Sequence, residues 1–422
     1  MGTTDAPDRI YQRRMVDRRL DEQLSQLPAF LLVGPRAAGK TTSAARRAAT
    51  VVRLDRPAEA AAFEADPDAA LRSLEEPVLL DEWQVVPQVL GALKRTIDTD
   101  PRPGRFLVTG SVRAPLEEQT WPGTGRLIRS TVYPMTMRER LGRPEREPFT
   151  DLLLSGELPS DPSNPPDLRD YVETAVAGGF PYPSLELDVA GRELWVRSYI
   201  DDLFTRDIPA MEASATRPRD PSRLRRYFEA YALNSAGTAA EATIYEAAGI
   251  NQKTAAAYEG LLEDLLVAER VPAWTGNRLR RLVKSPKRYL TDPALIAGAL
   301  ELDADGILAD GDLLGRLIDT FVAAQLRPEL EIARTRPRMH HLRTKGGERE
   351  VDIVLELPGG RVIAVEVKAS ATPGGQDAKH LRWLRDELGD QFVAGIIFHT
   401  GPRTIELDRS IHAVPIAALW DG

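Results

Sequence analysis

Two short stretches of this sequence carry residue types that could act on phosphates. The first is GPRAAGKTT at residues 34–42, whose spacing is that of a phosphate-binding loop between a strand and a helix. Glycines in such a loop let backbone N–H groups point at phosphate oxygens, while the lysine neutralises the β- and γ-phosphates and the next hydroxyl binds Mg²⁺. The sequence therefore predicts an ATP site formed by Gly34, Gly39, Lys40, Thr41 and Thr42.

Acids at the end of a second apolar segment complete this predicted site. VLLDEW at 78–83 indicates a strand that ends in Asp81 and Glu82. Asp81 would hold Mg²⁺ directly or through water, and Glu82 would orient and deprotonate the attacking water. FLVTGS at 106–111 indicates a third strand of this kind, with Ser111 predicted to contact the γ-phosphate. The plainer alternatives are a chance glycine turn, a solvated acid pair and ordinary loop polarity.

The second stretch is REVDIVLELPGGRVIAVEVKAS at 349–370, which indicates a β-hairpin. A three-residue turn at 358–360 would place Asp352 directly opposite Glu366. Because side chains alternate between the two faces of a strand, Lys368 would project from the same face as this acid pair.

Facing carboxylates repel each other unless a cation or a proton lies between them. Asp352 and Glu366 are therefore predicted ligands of Mg²⁺ or Mn²⁺, with Lys368 predicted to activate the water that attacks a phosphodiester. The alternative is the solvated face of an ordinary strand pair.

The elements that must position these residues fall into four predicted domains. Apolar segments alternate with alanine-rich helical stretches in the first part of the chain, which is typical of a parallel sheet covered by helices. The predicted domains are a P-loop domain (1–140), a linker and helical lid (141–230), a winged-helix-like domain (231–305) and a C-terminal α/β domain (306–422).

The middle of the chain has features of a nucleic-acid reader. Residues 238–268 follow a helix–turn–helix pattern, and the second helix begins with Asn251, Gln252 and Lys253. Six cations and no acid follow across 278–288, which predicts non-specific, salt-dependent contact with DNA. The alternative is a winged helix that packs against protein and leaves a solvated basic wing.

Composition excludes several classes of protein. The 422 residues carry a net charge of −8 and no cysteine, so a disulfide framework and a thiolate zinc site are both excluded. The charged N-terminus does not have the apolar core of a signal peptide, and no apolar run approaches about 18 residues. We therefore expect a cytoplasmic protein that does not enter a membrane.

Taken together, the motifs resemble a known family. YQRR at 11–14, the two nucleotide motifs, GGFPYP at 178–183 and the EVDIVLE…IAVEVK hairpin are similar to prokaryotic AAA-type ATPases of the AAA_14 group. Those proteins carry a C-terminal domain related to PD-(D/E)XK nucleases. The resemblance implies an α/β multidomain protein with a P-loop AAA-type core, a helical and winged-helix middle and a nuclease-like α/β end.

The resemblance also implies a third metal ligand. Where family members have a glutamate in the helix before the hairpin, GRLID at 315–319 has Asp319, which is one methylene shorter. Homo-oligomers are expected from the ATPase class because a neighbour's arginine usually completes the site, and Arg113 and Arg126 are the candidates. Two functions stay open: an ATP-dependent protein that acts on nucleic acid, and a nucleotide-gated binding protein with an inert nuclease fold.

Overall fold

The N-terminal part forms an α/β layer that positions the nucleotide motifs. The computed structural model describes residues 11–110, 125–211, 220–275, 285–344 and 347–421. The elements of this part are α1 (Met15–Leu24), β1 (Ala29–Val33), α2 (Lys40–Ala45), β2 (Thr50–Arg53), α3 (Pro57–Ala65), α4 (Pro67–Arg72), β3 (Val78–Asp81), a 3₁₀ turn (Trp83–Val85), α5 (Val89–Thr99), β4 (Phe106–Thr109) and β5 (Leu127–Thr131).

These strands form one parallel sheet in the order β2-β3-β4-β1-β5. Both faces are buried: Leu31 packs with α3, α4 and α5, whereas Phe30 and Leu32 pack with α1 and α2. The predicted P-loop core is confirmed. Because the carboxyl ends of parallel strands meet at one edge, the loop after β1 and the ends of β3 and β4 lie together.

The middle of the chain is mainly helical. The two strands of this region pair antiparallel, with Val271 opposite Lys287. Its elements are α6 (Met137–Arg140), α7 (Phe149–Ser155), α8 (Leu168–Ala177), α9 (Pro181–Glu186), α10 (Val189–Asp202), a π-helical turn (Leu203–Asp207), α11 (Ile208–Met211), α12 (Pro221–Leu233), α13 (Glu241–Ala247), α14 (Gln252–Asp264), β6 (Ala268–Val271), β7 (Lys287–Leu290), α15 (Ala294–Leu300) and α16 (Ala304–Leu308).

The C-terminal part is a six-stranded mixed sheet between two helices. Its elements are α17 (Gly311–Ile332), β8 (Arg338–Arg343), β9 (Glu350–Leu357), a 3₁₀ turn (Pro358–Gly360), β10 (Arg361–Val367), α18 (Lys379–Leu388), a 3₁₀ turn (Gly389–Gln391), β11 (Phe392–His399), β12 (Ile405–Asp408), β13 (Ile411–Pro415) and a last 3₁₀ turn (Ile416–Leu419). The strand order is β12-β13-β11-β10-β9-β8.

The predicted register of the β9–β10 hairpin is confirmed. Leu357 pairs with Arg361, and the ladder ends at Ile353 opposite Val365. The predicted pair of Asp352 facing Glu366 lies beyond the ladder and stays a prediction. Neither acid lies on an open face: Glu366 is buried beside Ala364, which packs with α18, and most of Asp352 is covered where Lys287 joins it to Asp319 of α17. The alternative of an ordinary solvated strand pair is therefore wrong.

Buried polar contacts join the C-terminal helix to the end of the nucleotide domain. Arg138 forms an ion pair with Glu329 of α17, and both side chains are buried. Glu329 also accepts the Phe149 N–H at 2.8 Å, and Gln325 accepts the Met137 N–H at 2.7 Å. In the part of the chain that the structure describes, no helix combines the length and apolar character needed to cross a bilayer.

Candidate functional site

The loop between β1 and α2 has the backbone shape that phosphate binding requires. Gly39 has φ +95°, in the left-handed region that favours glycine. A Cβ at residue 34 would lie 2.1 Å from the carbonyl oxygen of Val132, so only glycine fits there. Both glycines of the predicted motif are thus required by the local geometry.

Lys40 lies buried at the start of α2. Its Nζ donates to the carbonyl oxygens of Gly34 at 2.9 Å and Pro35 at 2.8 Å. Burial lowers the pKa of Lys40 to about 8, and the nearby carboxylates of Glu82 and Asp81 only partly offset this effect. The ammonium therefore rests on loop carbonyls and can exchange them for phosphate oxygens.

The Asp81 carboxylate accepts hydrogen bonds from hydroxyl groups of two neighbouring elements. Thr41 Oγ1 donates to Asp81 Oδ1 at 2.7 Å, and the Thr109 hydroxyl donates to the same oxygen. A hydroxyl and a carboxylate at the end of a parallel strand are the oxygen donors that Mg²⁺ takes in this class of site. Thr41 and Asp81 therefore fit the predicted magnesium site.

Glu82 follows Asp81 in a left-handed backbone conformation with φ +55°. This conformation is uncommon for a residue other than glycine and is enriched at functional sites. The carboxylate accepts a hydrogen bond from the side chain of Gln84, and both residues line the cleft that contains Lys40. Glu82 therefore lies in the same cleft as Lys40, and its role as the water-activating base stays a prediction.

Arg14 is a supporting residue that the sequence did not reveal. Its buried guanidinium donates to Ala38 O at 2.9 Å, to Tyr133 O at 2.7 Å and to Glu139 Oε1 at 3.0 Å. These bonds fix the phosphate loop against the segment after β5. The only signal was the arginine in YQRR, and nothing in that tetrapeptide indicates its partners.

The cleft around the loop has a volume of about 750 Å³ and is lined by residues of the N-terminal part and of α9. Pro181, Tyr182 and Leu185 of α9 face it from the middle of the chain. Arg36 of the loop forms an ion pair of 2.5 Å with the buried Asp207 at the end of the π-helical turn. The helical segment therefore covers the nucleotide loop, as a lid would.

The remaining predicted residues of this site are placed as follows. Thr42 is exposed and lines the cleft. Ser111 and Arg113 lie outside the described residues. Arg126 forms an ion pair of 2.5 Å with Asp98 at the surface, so its predicted role as an arginine finger stays a prediction.

The C-terminal acids form a second cluster, but a lysine lies between them. Lys287 Nζ is 2.6 Å from Asp319 Oδ2 and 3.0 Å from Asp352 Oδ1. Tyr289 OH donates to the other oxygen of Asp319 at 3.0 Å, and the Val367 N–H donates to Asp352 Oδ2 at 3.0 Å. Burial alone would lower the pKa of Lys287, but the two carboxylates outweigh it and raise the pKa well above its usual range.

Glu366 is held by the lysine of its own E-x-K sequence. Lys368 Nζ lies 3.1 Å from Glu366 Oε2, and among the described residues the buried Oε1 has no hydrogen-bond partner. Burial and the charge of Asp352 raise the pKa of Glu366 well above its usual range. Glu366 is therefore a buried carboxyl group whose Oε2 is held by the Lys368 ammonium.

The predicted divalent-metal set of Asp319, Asp352 and Glu366 does not fit this geometry. An ammonium already occupies the space between Asp319 and Asp352, and Glu366 is paired with Lys368 at 3.1 Å. Across the described ranges, no group of three or more acid or histidine side chains is arranged to hold a metal ion. Lys368 pairs with Glu366 and is not directed at a free site.

Part of the predicted basic wing is buried in the fold. Lys287 and Arg288 are both buried, and Arg288 Nε donates to Glu259 Oε1 at 2.7 Å. Asn251 caps α14 by accepting the Thr254 N–H at 2.9 Å. The other four cations, at 278, 280, 281 and 284, lie outside the described residues, so nucleic-acid contact by this segment stays a prediction.

Comparison with known proteins assigns the class of the N-terminal part. Residues 26–141 match the family model of an AAA domain (AAA_14). Residues 168–306 and 314–419 match two domains of unknown function (DUF8612 and DUF4143). The parallel sheet and the phosphate loop agree with the similarity of the N-terminal part to AAA domains. The relationship of the C-terminal domain to nucleases stays a prediction.

Two relatives match almost the whole chain. They are uncharacterised proteins of Mycobacterium bovis and Mycobacterium tuberculosis, each 27% identical over 412 residues, which is 96% of this chain and 84% of the relative. Among solved structures, the Walker-type ATPase PABY2304 of Pyrococcus abyssi is 14% identical with a TM-score of 0.43, covering 69% of this chain and 96% of that chain.

Proposed function

We propose that this protein binds ATP at residues 34–42 and hydrolyses it with Mg²⁺ beneath the helical lid. The observation that carries this proposal is the convergence of Lys40, Thr41, Asp81 and Glu82 at one edge of the parallel sheet. A protein that only bound nucleotide could dispense with a carboxylate in the position of Glu82.

The chemistry assigns one task to each side chain. Lys40 would exchange the carbonyls of Gly34 and Pro35 for β- and γ-phosphate oxygens. Thr41 and Asp81 would hold Mg²⁺, which neutralises phosphate charge when bound. Glu82 would orient a water and take its proton as the oxygen attacks the γ-phosphorus and the bond to ADP breaks.

Replacing Glu82 by glutamine tests the hydrolytic part of the proposal. The Glu82→Gln variant should bind a fluorescent ATP analogue like the wild type, while its steady-state turnover falls by about 10²- to 10⁴-fold, because the general base is lost. Glu64→Gln, on the exposed face of α3, is the matched control and should keep wild-type turnover. Wild-type turnover in the Glu82→Gln variant would contradict the proposal, as would activity of the wild type in excess EDTA.

Action on nucleic acid is the predicted use of the ATP cycle, and the same assay addresses it. Segment 278–288 is its predicted contact, of which Lys287 and Arg288 are engaged inside the protein. DNA or RNA at low salt should raise the ATPase rate if the prediction holds. An unchanged rate together with no binding at low salt would leave the nucleotide-gated binding protein as the function.

A further inference from the structure

We propose that Lys287 is the resident cation of the C-terminal acidic cluster, so that this cluster binds no divalent metal and does not cut phosphodiesters by metal-ion catalysis. A covalently attached ammonium lies between Asp319 and Asp352, two of the three predicted metal ligands.

The oxygen neighbours of the Lys287 ammonium are the first observation that supports this inference. Lys287 Nζ has three protons and three oxygen neighbours: Asp319 Oδ2 at 2.6 Å, Asp352 Oδ1 at 3.0 Å and the Asp352 carbonyl oxygen at 3.4 Å. A divalent ion bound by both carboxylates would need oxygen distances of about 2.0–2.6 Å. Such an ion would overlap with the nitrogen, so metal and ammonium exclude each other.

The burial of Lys287 is the second observation that supports this inference. Only 2% of the side chain is exposed, and the next residue, Arg288, is equally buried in its pair with Glu259. Tyr289 donates to Asp319 from the same strand. The ammonium is thus held at the two carboxylates by a buried side chain whose neighbours on β7 are themselves engaged.

The surroundings of Glu366 supply the third argument. Its Oε2 is paired with Lys368 at 3.1 Å, so the lysine that would activate water is itself engaged. Each of the three acids therefore already has an internal donor within reach: Lys287 for Asp319 and Asp352, and Lys368 for Glu366. The cluster joins the β6–β7 hairpin of the middle domain to α17 and β9 of the C-terminal domain.

Counting bound Mn²⁺ tests the inference on the full chain. With a non-hydrolysable ATP analogue, electron paramagnetic resonance of free Mn²⁺ should give one bound ion per chain, at the nucleotide site, in both the wild type and Asp352→Asn. A second ion in the wild type that is lost in Asp352→Asn would overturn the proposal. Failure of the ATP site would instead remove the nucleotide-dependent ion, so the two failures are distinguishable.

Removing the Lys287 ammonium tests whether its loss allows the carboxylates to bind Mn²⁺. Folded Lys287→Ala should bind one Mn²⁺ more than the wild type, because its carboxylates lose their internal cation, whereas Lys379→Ala, an exposed lysine of α18, should not. A folded Lys287→Ala variant that gains no ion would overturn the proposal. The wild-type count needs no variant of Lys287, so it decides even where Lys287→Ala fails to fold.

Discussion

Replacement of Lys40 by alanine is expected to abolish ATP turnover, with kcat/KM falling by at least about 10²- to 10³-fold. In the free protein the Lys40 ammonium lies buried on the carbonyls of Gly34 and Pro35, within the cleft that would hold the phosphates. Alanine removes the positive charge that binds the β- and γ-phosphates and stabilises the charge developing on them. Steady-state phosphate release measured over a range of ATP concentrations gives the size of the loss.

The control for this result is Lys253→Ala, which removes an exposed lysine of α14 and should leave turnover unchanged. Circular dichroism of both variants would show that the fold is retained. Turnover of Lys40→Ala within a few-fold of the wild type would mean that the loop at 34–42 is not the catalytic nucleotide site.

The second large effect concerns stability. Lys287→Ala is expected to lower the free energy of unfolding by about 3–5 kcal/mol, because it leaves two buried carboxylates without their shared cation. Urea unfolding followed by tryptophan fluorescence measures the loss. The exposed Lys379→Ala should change the same free energy by no more than about 0.5 kcal/mol.

A double-mutant cycle separates the ion pair from general loss of packing. Because Asp319 and Lys287 are in direct contact, replacing Asp319 by asparagine should cost less stability in a Lys287→Ala background than in the wild type. Strictly additive losses, or a loss below about 1 kcal/mol for Lys287→Ala alone, would show that the ammonium does not hold the cluster together.

The register of the β9–β10 hairpin is predictable from its own residues. A three-residue turn and a period of two suffice to predict that Ile353 pairs with Val365, and this register is confirmed. What covers the two faces is not contained in the hairpin, because α17 and α18 come from before and after it in the chain. The burial of Glu366, which raises the pKa of its carboxyl group, follows from that packing.

The environment of Lys287 is not predictable from its neighbours in the sequence. It is one of eight lysines in an arginine-rich chain, and its neighbours between 278 and 288 are all cations or uncharged residues, so the sequence favours a solvated wing. In the fold, Lys287 and Tyr289 point along one face of β7 towards Asp319, while Arg288 points the other way towards Glu259. The alternation of side chains along β7 is predictable from the sequence, but the contact partners on its two faces are not.

The phosphate loop is predictable from the sequence alone, because the glycines, lysine and threonine that bind phosphate lie within nine residues and their backbone shape is set locally. The acids at the carboxyl end of β3 are predictable in the same way. The partner of Asp319 and Asp352 is known only from the tertiary structure, since Lys287 is 32 residues from Asp319 and 65 from Asp352. Electrostatic partners of buried charges are chosen by packing at a distance, and that choice replaces the expected metal ion with a lysine.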